Sequence, residues 1–281
     1  MIRFFPWNKY HGKEPSGSTR LRVLNLLPYW PDADLYKYGE RPDVMIYQKV
    51  YWQPDWQFMK LFKGLQILDI TDADWLEWAF VKQTLDLVDA ITCPTETLAD
   101  FLRQMTGKPV KVIPDRHDIK KVPQLKTHQG KAKKLVWFGY SHNSESLNQC
   151  MPFLERNNYH LTVISNRDPS HGFLVADKEK IQAKYTFVQY DDDKKFKELA
   201  KHDIFLNPAG GRSVDFFKSN NRTTTAWLAG IPEAKTADDI IRLTDPEERN
   251  REAKENYHKA RKEYDCRLSI NEYKDLINEI R

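Results

Sequence analysis

Cysteine is scarce in this chain. Cys93, Cys150 and Cys266 are the full complement, odd in number and without metal-type spacing. That argues against a disulfide framework or a cysteine-held metal, and a reducing cytoplasm is the expected setting. Long apolar runs are lacking as well. Charges interrupt every one, so no segment reads as a membrane span. The opening Met1-Ile2-Arg3-Phe4-Phe5-Pro6-Trp7-Asn8-Lys9 has no signal-peptide apolar stretch. Nor is there a large surplus of either charge: 44 Lys and Arg against 40 Asp and Glu leave a net +4. Such a balance suits phosphate ligands or a nucleic-acid surface and demonstrates neither. Much of the positive charge falls in Lys120-Lys121 and Lys131-Ala132-Lys133-Lys134, runs that read as the solvated face of a tether. Asn221-Arg222-Thr223 fits a glycosylation acceptor only by chance. What is there in quantity is core material: 40% hydrophobic residues, with 14 Phe, 13 Tyr and 8 Trp for packing and stacking. A length of 281 residues suits one large domain or two small ones.

Apolar clusters alternate with helical spacing. Ile2–Phe5, Val44–Tyr47, Leu65–Ile70, Ala90–Cys93 and Val110–Ile113 read as strands. Helices are expected over Ser18–Leu27, Asp55–Phe62, Ala73–Leu87 and from Thr95, a capping residue, onward. Lys120–Lys134 is polar and basic, without apolar period, and reads as a linker. The alternation then resumes. Strands are expected at Leu135–Tyr140, Leu161–Ser165, Tyr185–Tyr190 and Ile204–Pro208, with helices over Ser144–Arg156 and Lys194–Lys201. Charged helices follow over Pro246–Tyr264 and Ile270–Arg281. Strand–helix alternation predicts parallel sheets covered on both faces. The expected organisation is an N-terminal Rossmann-like domain over 1–119, a basic linker over 120–134 and a second such domain over 135–245. Helices over 246–281 would be able to pack back on the first domain.

Within the second half, Phe216-Phe217-Lys218-Ser219-Asn220-Asn221-Arg222 leads into an apolar helix that stops at Gly230-Ile231-Pro232. Ser219 or Asn220 can cap it, and its unpaired N–H groups and dipole favour an anion. Lys218 and Arg222 add full positive charges, which makes phosphate the economical ligand.

In its order of segments the chain resembles the GT-B glycosyltransferases, nucleotide-sugar-dependent enzymes with two Rossmann-like domains facing each other across a cleft. The resemblance rests on Gly17-Ser18-Thr19-Arg20 after the first strand and on Val112-Ile113-Pro114-Asp115-Arg116-His117-Asp118 before the linker. It rests further on Leu135-Val136-Trp137-Phe138-Gly139, and on Phe205-Leu206-Asn207-Pro208 followed by Lys218 and Ala226-Trp227-Leu228-Ala229-Gly230-Ile231-Pro232. The chain departs from retaining members in having no pair of glutamates eight positions apart in the donor segment. Asp215 and Arg222 stand in that region instead.

The resemblance implies an α/β fold and transfer of a sugar, most simply from a UDP-sugar, without a cofactor. Gly17 and Ser18, the turn Gly139, Ser141, His142 and Asn143, and Lys218, Ser219, Asn220, Asn221 and Arg222 are the candidate diphosphate binders. Tyr190 and Asp191, at a strand end, are candidates for the nucleobase. His11 and Asp72 are candidate bases for an inverting reaction. Asp72-Ala73-Asp74 also has the pattern of a Mg²⁺ or Mn²⁺ site, but it fits a helix start equally well and the two-unit layout favours the metal-free class. The acceptor stays open among polysaccharide, lipid-linked sugar and hydroxymethylated DNA. A DNA-modifying glycosyltransferase and a non-catalytic nucleotide-binding protein are the alternatives.

Overall fold

The structure is a computed structural model, and its described residues are 1–76, 80–169 and 185–281. The chain forms two compact units. The first comprises Met1–Asp118, Arg212–Ser219 and Tyr264–Arg281; the second comprises Ile119–Gly211 and Asn220–Glu263.

The first unit is built on six parallel strands, β1 (Ile2–Pro6), β2 (Ala33–Leu35), β3 (Val44–Gln48), β4 (Leu65–Asp69), β5 (Ala90–Cys93) and β6 (Val110–Val112), in the order β2-β1-β3-β4-β5-β6. Alternation of side chains along each strand divides the core into two layers. Phe4, Val44, Ile46, Ile67 and Ala90 face Val23, Trp30 and the helix Cys266–Glu279, which contributes Ile270, Tyr273, Leu276 and Ile277. Phe5, Met45, Tyr47, Leu68 and Ile91 face Met59, Val81, Leu98 and Leu102 on the opposite side. One buried network crosses this unit. The fully buried Arg22 guanidinium donates to Asp69 at 2.6–3.0 Å, to the Ile113 carbonyl at 2.6 Å and to Asp115 at 3.0 Å.

In the second unit the strands are β7 (Lys134–Phe138), β8 (His160–Ser165), β9 (Tyr185–Gln189), β10 (Ile204–Leu206) and β11 (Glu233–Ala234), all parallel, in the order β11-β10-β7-β8-β9. Leu135, Trp137, Leu161, Val163, Ile204 and Leu206 pack against Leu147, Met151, Leu154, Ile240 and Leu243.

Several expected elements change form. The helix expected over Ser18–Leu27 is a short α turn, Gly17–Thr19, passing into a π-helical turn, Arg20–Leu24, closed by Asn25 N–H on the Arg20 carbonyl at 2.9 Å. Pro28 stands in a separate 3₁₀ turn, Leu27–Tyr29. The helix expected over Ala73–Leu87 is seen as the 3₁₀ turn Asp74–Leu76 and the helix Val81–Leu85, its middle lying outside the described residues. Ser144–Arg156 divides into 3₁₀ turns, Ser141–Gln149, and the helix Met151–Arg156, which starts with Pro152 in its first turn. Strands β2 and β11 and the helix Ala237–Arg242 were not expected at all.

The basic run over 120–134 is not a free tether. Its Lys120, Lys121, Lys131, Lys133 and Lys134 are exposed as anticipated. Between them, Lys126 Nζ donates to the carbonyls of Ala200 and His202. His128 exchanges backbone bonds with the Asn250 side chain, and Arg249 donates to the Gly130 carbonyl at 2.6 Å. Buried polar groups need partners, and this segment supplies them to its own unit.

Candidate active site

In a doubly wound sheet, ligands bind beyond the carboxyl ends of the strands, where the strand order reverses. In the second unit that point lies between β7 and β10, because the chain runs from β7 outward to β8 and β9 and later places β10 on the other side. The turn after β7 begins at Gly139. A Cβ there would stand 3.2 Å from the Trp137 ring and 3.6 Å from Arg222 Nη1, so a side chain at this position would crowd the ring and glycine suits the close approach. Arg222, in the first turn of the helix Asn221–Leu228, lies 5.8 Å over the Trp137 ring. Asn220 takes the N-cap position of that helix. Ser141 is buried and fixed twice: its N–H donates to Asn166 Oδ1 and its hydroxyl accepts from Arg167 Nε, both at 2.9 Å. His142 stacks on Tyr140, centroids 5.6 Å apart at 13°, and Asn143 N–H closes the turn on the Tyr140 carbonyl. The structure thus gathers Gly139, Ser141, His142, Asn143, Asn220, Asn221 and Arg222 in one unit, with Gly139 and Arg222 meeting at one strand edge.

Lys218 and Ser219 belong to the first unit instead. Lys218 pairs with Asp215 at 2.7 Å, and the Ser219 hydroxyl donates to Asp115 at 2.6 Å. Partial burial works against ionisation of Asp215, but Arg212 and Lys218 outweigh it and hold its carboxyl at about 2. The single run of cations and small polar residues is therefore divided by the fold: its first two members stay with the first unit, and the rest start the helix of the second.

In the first unit the order reverses between β1 and β3. Gly17 and Ser18 sit there, with Ser18 Oγ accepting from Gln48 Nε2 at 3.3 Å and Thr19 Oγ1 donating to Gln48 Oε1 at 2.8 Å. His11 stacks on Trp7 at 4.8 Å, and its Nε2 lies 3.4 Å from Asp55 Oδ2. Burial raises the Asp55 carboxyl, and His11 partly offsets that.

Asp72 pairs with the Lys49 ammonium and accepts from the Thr71 hydroxyl at 3.2 Å. Burial opposes its charge, yet Lys49, Thr71 and Lys218 prevail and lower its pKa. Asp74 lies 3.6 Å from Lys49, and burial, reinforced by Asp72, raises it to about 6. Lys49 thus stands against both carboxylates of Asp72-Ala73-Asp74. Its φ of 58° is a left-handed conformation unusual outside glycine, a form of strain that collects at functional sites.

Tyr190 and Asp191 follow β9, at the edge of the sheet. The Tyr190 hydroxyl donates to Asp192 at 2.8 Å, and Asp191 pairs with Lys194 at 2.8 Å. Neither lies beside β7 or β10 in the strand order. Sequence reading passed over Lys49, Asp55 and Arg167, and over the contact of the buried Trp137 ring with Arg222 and the Gly139 turn. Trp137 read as part of a strand, and Asp55 only as the start of an expected helix. Lys49 carried a signal, standing immediately after a strand two residues before the first of two aromatics.

Two all-parallel, doubly wound sheets with helical layers, the first packed by a C-terminal helix, constitute the GT-B fold, and the chain has that fold. Among solved structures it is similar to AviGT4, a glycosyltransferase involved in avilamycin A biosynthesis, with 12% identity, a TM-score of 0.58 and coverage of 96% of this chain and 91% of that one. A second is described as trehalose-6-phosphate from E. coli bound with UDP-2-fluoro glucose, at 11% identity and TM-score 0.53, covering 90% and 74%. A chain of the glycosylation-associated Gap123 complex of Streptococcus agalactiae matches at 16% identity and TM-score 0.45; this chain, 86% of it covered, spans 53% of that protein. No protein-family model and no curated protein matches the sequence. Among the described residues, no helix is long and apolar enough to cross a membrane.

Proposed function

We propose that the protein is a glycosyltransferase that moves a sugar from a nucleoside-diphosphate donor, a UDP-sugar in the simplest case, to a hydroxyl acceptor. The observation that carries this reading is the meeting of Arg222 and the Gly139 turn at the β7/β10 reversal, beside the start of the helix Asn221–Leu228. A departing diphosphate needs cations and N–H donors placed where its charge develops. Arg222 offers a planar fork for phosphate oxygens, and the helix start offers backbone N–H groups and a positive dipole end. The UDP-2-fluoro glucose bound in one structural neighbour supports uridine as the nucleoside.

For an inverting transfer the first unit offers two candidate bases, His11 and Asp72. The bond from the anomeric carbon to the diphosphate oxygen breaks as the acceptor oxygen bonds to that carbon, and the hydroxyl proton passes to His11. The Asp55 carboxylate, 3.4 Å from Nε2, stands where it would orient that ring. Lys49 and Thr71 hold Asp72 ionised against the opposing effect of burial.

Thermal stabilisation by UDP, GDP and their sugars tests the reading. A shift with one of these nucleotides, lost in Arg222→Ala, is the expected outcome; no shift with any of them sinks it. His11→Ala is expected to lower kcat by about 10²–10⁴ with donor affinity retained, the usual contribution of a general base. Transfer that survives a chelator would agree with metal-free stabilisation of the diphosphate.

A further inference from the structure

The second unit holds a nearly enclosed carboxylate beside its strand-order reversal, and binding of a diphosphate leaves it unused. Glu233 opens the edge strand β11, and its side chain is 8% exposed. Its Oε1 accepts from Asn207 Nδ2 at 2.6 Å and from the Thr223 hydroxyl at 2.7 Å. Asn207 Nδ2 also donates to Thr223 Oγ1 at 3.3 Å. These residues bring three elements together. Asn207 directly follows β10, and its N–H donates to the Ala234 carbonyl at 2.8 Å. Because Phe205 pairs with Val136, Asn207 stands one residue short of Gly139 in the register of β7. Thr223 follows Arg222 in the first turn of the helix Asn221–Leu228.

What this cluster leaves unfilled is of one kind. Asn207 turns its amide nitrogen toward the carboxylate and Thr223, which sends its Oδ1 the other way. That oxygen is buried and, among the described residues, accepts no hydrogen bond. Glu233 Oε2 accepts none among them either; the Lys235 ammonium lies 3.9 Å away, on a side chain 63% exposed. The side-chain donors of the cluster are spent on Oε1 and Oγ1, so two acceptors remain. A buried acceptor without a partner is costly, and a ligand that brings hydrogens relieves it. Phosphate oxygens bring none, and the carboxylate repels their charge. Neighbouring hydroxyls bring one hydrogen each. In a nucleotide they belong to the ribose, which is joined to the phosphates that Arg222 and the Gly139 turn suit.

The geometry points to Glu233 and Asn207 as the acceptors for the ribose hydroxyls of the donor nucleotide, so that the protein takes ribonucleoside diphosphates and discriminates against their 2′-deoxy forms. This rests on the glycosyltransferase reading above and narrows its donor to one class of nucleotide. Asp215, the acid that stands in the donor segment of the sequence, belongs to the first unit and is committed to Arg212 and Lys218.

The test measures, by calorimetry on the full chain, the affinities for UDP, GDP and the 2′-deoxy form of each. Whichever ribonucleotide binds is expected to do so about tenfold or more tightly than its 2′-deoxy form, because a site built around a hydroxyl rejects the analogue lacking it. Glu233→Gln keeps the shape of the side chain and removes its charge, and Asn207→Ala removes the second acceptor. In both variants the gap should shrink to about threefold or less, as charge-assisted and buried hydrogen bonds are lost. Affinity for the 2′-deoxy form should stay as in the native protein, which also reports that the variants fold. Equal affinity of the native protein for the ribo and deoxy forms overturns the inference. So does a preference for ribose that both variants keep. Failure of the native protein to bind any of the four nucleotides is a different result: it removes the donor reading itself.

Discussion

His128 shows at the residue scale how a fixed segment turns into a pH response. Its ring is buried, and in the neutral form Nε2–H donates to the Gly230 carbonyl at 2.9 Å. Burial lowers its pKa from 6.5 to about 4, with Lys126 and Arg249 acting in the same direction and the Gly230 carbonyl against it. A basic group whose folded pKa is depressed takes up its proton first in the unfolded state, so stability falls as pH drops from 6.5 to 4 and levels off below that. Burial lowers His202 likewise, adding to the same slope. The His128 share is about 3 kcal/mol over the full window, at roughly 1.4 kcal/mol per pKa unit. Denaturant titrations of the native protein and His128→Gln between pH 7 and 4 check this. The variant should lose most of the slope while keeping an amide donor for Gly230. A slope equal to the native one would assign the acid sensitivity elsewhere. Nothing in Lys126-Thr127-His128 announces burial in the sequence, because a histidine between polar residues in a basic run has no apolar period to place it. The partners that bury it, Gly230 and Asn250, lie about a hundred or more positions away.

At the scale of elements, legibility followed the length and locality of each signal. Five-residue strands such as Leu65–Asp69 and Lys134–Phe138 are readable because burial on both faces keeps their centres apolar, Ile67-Leu68 in the one and Leu135-Val136-Trp137-Phe138 in the other. Three-residue β2 and two-residue β11 are too short to show any period. The Arg20–Leu24 π turn was hidden for a different reason: it places Arg22 on Asp69 and Asp115, which are remote in sequence. The stop at Gly-Ile-Pro was local and legible. The helix ends at Leu228, and Gly230 has φ 71°, a left-handed conformation that favours glycine. A Cβ at Gly230 would also stand 3.1 Å from Leu125 Cδ1 and 3.5 Å from the Lys126 nitrogen. Gly230→Ala is therefore expected to destabilise by about 1–3 kcal/mol, from positive φ and from crowding of the strap carrying Lys126 and His128. Chemical denaturation measures it. The cost should be additive with mutations in the Arg22 network, since the two sites belong to different units; strong coupling would show that the two cores do not respond independently.

For the whole molecule, what the sequence could not display is how often the chain passes from one unit to the other. The crossings follow Asp118, Gly211, Ser219 and Glu263. Strand–helix alternation reveals that two α/β units exist, because each builds its sheet from consecutive segments. It is silent about Arg212–Ser219, eight residues with no period of their own, which dock through the Thr95 hydroxyl on the Phe217 carbonyl, the edge contact of Phe101 with Phe217, and Ser219 on Asp115. The helices over 246–281 read as one group able to pack back on the first domain, whereas in the structure Cys266–Glu279 packs on the first core and Pro246–Glu263 belongs to the second unit. That assignment matters physically. Ile270, Tyr273, Leu276 and Ile277 cover the face formed by Phe4, Val44, Ile46 and Ile67, so without them a mostly apolar sheet face would meet water. Arg116, which follows β6, would also lose Ser269 at 2.9 Å and the carboxylate of Glu272. A fragment of residues 1–119 is accordingly expected to aggregate or to remain without fixed tertiary structure. Supplying residues 264–281 through a flexible linker should restore a soluble, cooperatively unfolding first unit. Solubility, near-ultraviolet dichroism and denaturant cooperativity of the two proteins make the comparison. A well-folded 1–119 fragment would show that the first sheet is stable with one face bare, and that the C-terminal helix is dispensable to its core.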